Sequence, residues 1–133
     1  MNRTHLEGAA EALAAQQGYA FHTGPEDGMA HTVRSYPAAW LAPLELHAVE
    51  GCGHGRATYD MTLHLLSSGA RLSPTERRAA LARMEEQLLE IFAALSLDER
   101  VLAVEGLSVR PRAFALTPHG EISQTAAARI VTF

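Results

Sequence analysis

The stretch Ser73-Pro74-Thr75-Glu76 decides the fold, because it marks the start of one long helix in a chain that otherwise reads mostly as strands. Ser73 is suited to accept from the orphan N–H groups of a first helical turn. Pro74 suits the first helical position, and Glu76 stands where a capping box places its carboxylate. The helix is expected to run from Pro74 to about Leu95, with Leu81, Met84, Leu88, Ile91, Phe92 and Leu95 on one stripe. Glu76, Arg77, Arg83, Glu86 and Glu90 fall on the other side, so the apolar stripe is expected to cover one face of a sheet.

That sheet is sought on both sides of the helix. Upstream, Tyr59, Met61, Leu63 and Leu65 alternate with Thr58, Asp60, Thr62 and His64, the period-two pattern of a strand over Thr58 to Leu66. A partner, Leu44 to Glu50, is joined to it through Gly51-Cys52-Gly53-His54-Gly55, and together they read as a hairpin. A symmetrical turn would set Glu45 opposite His64 and His47 opposite Thr62. Downstream, Asp98-Glu99-Arg100 connects to candidate strands Val101 to Arg110, Arg112 to Pro118 and Thr125 to Phe133, with His119-Gly120-Glu121 turning between the last two. Near the start, Thr4 and Glu7 repeat the capping-box pattern ahead of a short helix ending before Gly18. Tyr19 to His22 is a strand candidate, Thr23 to Gly28 a turn-rich loop, and Met29 to Ser35 a second edge strand. Pro37 and Pro43 then predict extended irregular backbone around Trp40.

Helix, strands, helix, strands is the order of a single α+β domain over 1–133, with an antiparallel or mixed sheet. The long central helix and the short N-terminal helix are expected on one face of it. A parallel doubly wound fold would need helices alternating with strands. At 133 residues, 47% apolar and 20% charged, the composition is that of an ordinary globular domain. No apolar run is long enough to cross a bilayer. Met1 to Glu11 lack the basic start and apolar stretch of a signal peptide, which predicts a cytoplasmic protein. The net charge of -4 argues against general attraction to nucleic acid. One cysteine, Cys52, excludes an intramolecular disulfide and multi-cysteine metal sites.

Seven histidines are the obvious chemistry-bearing residues: His5, His22, His31, His47, His54, His64 and His119. None forms the helical pair four apart that anchors many zinc sites, and Cys52-Gly53-His54 is a short-spaced pair without the rest of a motif. No metal or other cofactor is predicted. Glu45, His47 and His64 share the polar face of the expected hairpin, where an imidazole beside a carboxylate has the makings of a general base. A cross-strand Glu/His pair is more often plain surface. Ser67 and Ser68 lie in no Gly-x-Ser-x-Gly elbow, and Ser73 is explained as a cap. The glycines of 51–55 precede a strand and not a helix N-terminus, which is the wrong context for a phosphate loop. Tyr36 to Leu41 is apolar and carries Trp40, which reads either as a recognition residue or as a cap on the core.

The order of elements and the segments Tyr59-Asp60-Met61-Thr62-Leu63-His64-Leu65-Leu66 and Asp98-Glu99-Arg100-Val101, with arginines on the late strands, resemble the tail-completion (tail-terminator) proteins of tailed phages and prophages. The resemblance implies an α+β protein without an active site that assembles as a ring through self-association. Its partners would be proteins, first of all further copies of itself in a homo-oligomer, and neither nucleic acid nor membrane. Its location would be cytoplasmic or virion-associated. Trp40, Tyr36, Arg56, Arg110, Arg112 and Arg129 are the expected contact residues, the arginines because a planar guanidinium bridges well to a neighbour's carboxylates. Two other readings are a small-molecule or peptide-binding module using the Trp40 region and a metal-dependent protein using His47 and His64.

Overall fold

The computed structural model describes residues 2–51, 55–112, 115 and 120–133. Helix α1 (Asn2–Gln16) leads into β1 (Ala20–Thr23), and a 3-10 turn (Glu26–Gly28) runs into the short helix α2 (Met29–Thr32). The remaining elements are β2 (Ala38–Leu41), β3 (Glu45–Glu50), β4 (Arg56–Ser67), α3 (Pro74–Ser96), β5 (Val101–Pro111) and β6 (Ile122–Thr132). The six strands form one mixed sheet in the order β1-β2-β4-β6-β5, with β3 also paired to β4. The fold is α+β as predicted, and among the described residues the one parallel pair is β1 with β2.

Helix α3 forms as its capping box predicts. Glu76 N–H donates to Ser73 Oγ and Ser73 N–H to Glu76 Oε1, both at 3.2 Å. Its buried residues are Ala80, Met84, Leu88, Ile91, Phe92 and Leu95, and Leu81 packs at the margin. They meet Leu6, Ala10 and Ala14 of α1 and the front face of the sheet, formed by Ala39, Leu41, Tyr59, Met61, Leu63, Leu65, Ala126, Ala128 and Ile130. Both large helices therefore lie on one face. Helix α1 begins at Asn2, ahead of Thr4, so Thr4 lies inside the helix and is not its cap. The start of α1 is instead tied down by tertiary contacts. Asn2 Nδ2 donates to Thr132 Oγ1 at 3.0 Å, and His5 Nε2 lies 2.7 and 2.9 Å from the two oxygens of Asp98.

Strand β4 serves two partners end to end along one edge. Its first half pairs with β3 and its second half with β2, while β6 follows its whole length on the other side. Three expectations are corrected here. Met29 to Ser35 is not a strand, because Met29–Thr32 is helical and Met29 and Val33 are buried. The segment around Trp40 is not irregular: the prolines stand outside Ala38–Leu41, which forms β2, buried on both faces. The symmetrical hairpin register also fails, because Glu45 lies opposite Asp60, Leu46 opposite Tyr59, and a bulge falls between Leu46 and Ala48. Downstream, β6 begins at Ile122, three residues earlier than expected. Arg112 lies just past β5 instead of opening a strand. Most of the candidate strand Arg112 to Pro118, together with Cys52, His54 and His119, lies outside the described residues.

Candidate functional site

Residues directly opposite one another in an antiparallel pair share a face, so the register defines the back of the sheet. Asp60, Arg129 and Glu105 make one row across β4, β6 and β5, and His64, Thr125 and Arg110 make another. The lower half of this face is open. A groove of about 570 Å³ is lined there by Asp60, Thr62, Glu105, Gly106, Ser108, Ala127 and Arg129, together with Met61 and Ala128. Thr62, Ser108 and Ala127 give it a floor of short side chains, and a glycine at φ 63° lies where β5 bulges along its edge. At its rim Asp60 is shared, with His47 Nδ1 at 3.4 Å from one oxygen and Arg129 Nε at 3.7 Å from the other. All three are well exposed, so solvent screens the pairs and each is worth little to stability.

The upper half of the face is covered. The chain between β1 and β2 crosses it, and Met29 and Val33 pack on Ala38, Trp40 and Leu66 in a second, smaller core with Tyr36 at its margin. Trp40 is 2% exposed. Its Nε1–H donates to the Gly24 carbonyl at 2.9 Å, and its ring stacks on His22 with centroids 5.9 Å apart. Of the two readings of Trp40, a cap on the core describes its placement. The hydrophobic partner that α2 finds on this face also explains why Leu66 follows Leu65 in a strand that elsewhere alternates.

His64 lies beneath this cover at 1% exposure. Its Nδ1 is hydrogen-bonded to Thr125 Oγ1 at 2.7 Å. Its Nε2 is 3.3 Å from Glu26 Oε2 of the crossing segment, and Arg112 Nη2 is 3.9 Å from the same oxygen. The His64–Glu26 approach is within ion-pair reach but misaligned, which leaves Nε2 without a hydrogen-bond partner. Burial pushes the His64 imidazole below its usual range; Glu26 draws it up, and Arg112 pushes it down further. A carboxylate beside Nε2 favours a proton there, so the Thr125 hydroxyl donates to Nδ1.

Hydroxyl, imidazole and carboxylate in sequence are the parts of a nucleophile relay. A general base must also reach a substrate proton, and an imidazole buried beneath the crossing segment and engaged at Nδ1 is closed off from one in this arrangement. The hairpin group expected from sequence is therefore taken apart. Glu45 is on the outer strand, His47 joins Asp60 at the groove, and His64 belongs to the covered half with Glu26 and Thr125. Among the described residues no group of three or more His, Cys, Asp or Glu is placed to hold a metal ion. Arg56 is exposed at the start of β4 opposite Glu50, and Arg110 is exposed on β5 opposite Thr125. Sequence reasoning missed Glu26, which stands in a Pro/Gly turn without any motif, and Thr125, which only the β4–β6 register brings to His64.

No known family model matches the chain, and no curated protein matches it in sequence. No helix of the described residues is long and apolar enough to cross a membrane.

Proposed function

We propose that this protein is a non-catalytic assembly component that works by binding further copies of itself, as the resemblance to phage tail-completion proteins implies. The observation that carries the reading is the exposed apolar surface at one end of the sheet. All six residues of β3 are exposed, Leu46 at 51% and Val49 at 54%. Val49, the half-buried Ala57 and the buried Thr132 and Val101 form one row across four strands, and the exposed Leu97, Leu102 and Phe133, at 87%, 39% and 61%, stand at the same end of the sheet. Single surface leucines are ordinary, but five exposed large apolar residues gathered at one end of the sheet support a contact surface there.

The sheet supplies the geometry. Among the described residues, β3 has no strand partner on one side of the sheet and β5 none on the other, and successive antiparallel pairings make β3 and β5 run in opposite directions. A copy placed head to tail would bring these edges together as antiparallel neighbours, and a heterologous contact of this type closes into a ring when the rotation allows. Bulges in β3 and β5 interrupt both edges, which guards against indiscriminate strand pairing. The apolar side chains would then supply most of the affinity.

The test is absolute mass by light scattering over a dilution series, for the natural chain and for Leu46→Glu with Val49→Glu. The expected result is a concentration-dependent oligomer that the double variant dissociates without change in far-UV circular dichroism. A natural chain that stays monomeric at every concentration would overturn the reading.

A further inference from the structure

The segment that crosses from β1 to β2 is fastened to the sheet by apolar contact with Trp40 and Leu66 and by two polar links, Trp40 to Gly24 and Glu26 to His64. We propose that this segment is an acid-released cover, in which protonation of the buried His64 frees residues 24–33 from the sheet and bares Trp40, Met29 and Leu66.

The geometry supplies the coupling. When covered, His64 is 1% exposed and its Nε2 has no aligned acceptor. An imidazolium needs an acceptor at both nitrogens, and a buried charge without them is costly. Thr125 can turn its hydroxyl to accept from Nδ1, but Glu26 is misaligned and is also drawn towards Arg112. Among the described residues, Glu26 and Arg112 face the imidazole directly, Asp27 and His31 are carried by the crossing segment itself, His22 stacks on Trp40, its neighbour on β2, and Arg110 occupies the Thr125 row on β5. Once the segment lifts, water reaches both nitrogens and the proton is held at the ordinary value.

The sign follows from linkage. His64 binds its proton less readily covered than uncovered, so the cover is fully favoured above the ordinary imidazole value of about 6.5 and loses ground as the pH falls through it. Each unit of difference between the two states is a tenfold shift in their ratio at low pH. Glu26 and Arg112 act in opposite directions. Removing Glu26 leaves the buried imidazolium less compensated and moves release to higher pH, while removing Arg112 moves it to lower pH.

Trp40 is the chain's one tryptophan and reports the event directly. The experiment follows the position of its emission and its quenching by acrylamide from pH 8 to pH 5, with far-UV circular dichroism on the same samples. The expected result is a red shift and increased quenching as the pH falls through about 6.5, with the dichroism unchanged. The transition should be absent in His64→Gln, later in Arg112→Gln and earlier in Glu26→Gln. His22 and His31 are intact in all three variants, so any effect of their protonation on the emission persists in His64→Gln and is separated from release. Should His64→Gln fail to fold, the opposite displacements of the other two variants carry the test. An emission maximum that stays fixed in the natural chain, one that shifts equally in His64→Gln, or one that moves together with loss of dichroism would overturn the proposal.

Discussion

Gly106→Ala is the substitution whose cost the backbone predicts most cleanly. Gly106 has φ 63°, and a Cβ built there meets no heavy atom within 4 Å, so steric crowding contributes nothing. What remains is the left-handed conformation, which costs an alanine about 1–2 kcal/mol. Against this, losing a glycine removes freedom from the unfolded chain, which stabilises by about 0.4–1 kcal/mol. The middles of these two ranges leave a net loss of about 0.8 kcal/mol. For 133 residues the unfolding entropy is about 0.28 kcal/mol per kelvin, so Tm should fall by about 2–4 °C. Asparagine tolerates the left-handed region better than alanine, so Gly106→Asn should recover about half of the loss or more. Thermal unfolding by circular dichroism, read beside urea midpoints, is the assay. An alanine variant as stable as the natural chain, or alanine and asparagine variants with equal losses, would refute the reasoning and place the cause elsewhere than in φ.

Three further outcomes are expected. Ser73→Ala removes the capping bond from Glu76 N–H to Ser73 Oγ, 3.2 Å long, and leaves only the return bond from the residue-73 backbone N–H to Glu76 Oε1; it should cost about 1 kcal/mol in urea unfolding, with Ser73→Asp retaining most of the stability. Leu88→Ala empties a fully buried position between α3 and the sheet and should cost about 2–5 kcal/mol, which the same denaturation measurement reads. Asp98 is pushed up by partial burial, but the Arg100 N–H and His5 together hold its carboxyl below the usual range. Its contribution is present above the ordinary carboxylate value and lost as the pH falls through the folded one. Asp98→Asn should thus destabilise the chain at pH 7 by about 1 kcal/mol, and the difference should close below about pH 4 in a pH series of urea midpoints.

Helix α3 and strand β4 were legible because each carries two agreeing signals. Ser73 and Glu76 bracket a stripe of period 3.6, and Tyr59 to Leu65 alternate without interruption. Helix α2 was not, since four residues are too few to show a helical period, and Met29 and Val33 are apolar for the sake of a tertiary contact with Trp40. Pro37 and Pro43 are breakers by type and hide the strand between them, because they stand just outside its four residues. The hairpin register depended on an assumed symmetrical turn, and neither the bulge at His47 nor the unequal lengths of β3 and β4 has a local signature. The covered cluster was the least legible. Glu26, His64, Arg112 and Thr125 lie on four separate stretches of chain, and only the crossing segment and the sheet register assemble them.

The parallel pairing of β1 with β2 has a mechanical consequence. Two parallel neighbours cannot be joined by a tight turn; the chain must leave one end of the sheet and return to the other. The stretch over Trp40 makes that journey, and it is anchored at both ends in hydrogen-bonded strands. It resembles a belt more than a hinged door: it can slacken but has no free end to swing. It also cannot be trimmed away, since shortening it would pull β1 off the edge of the sheet before it uncovered the surface beneath.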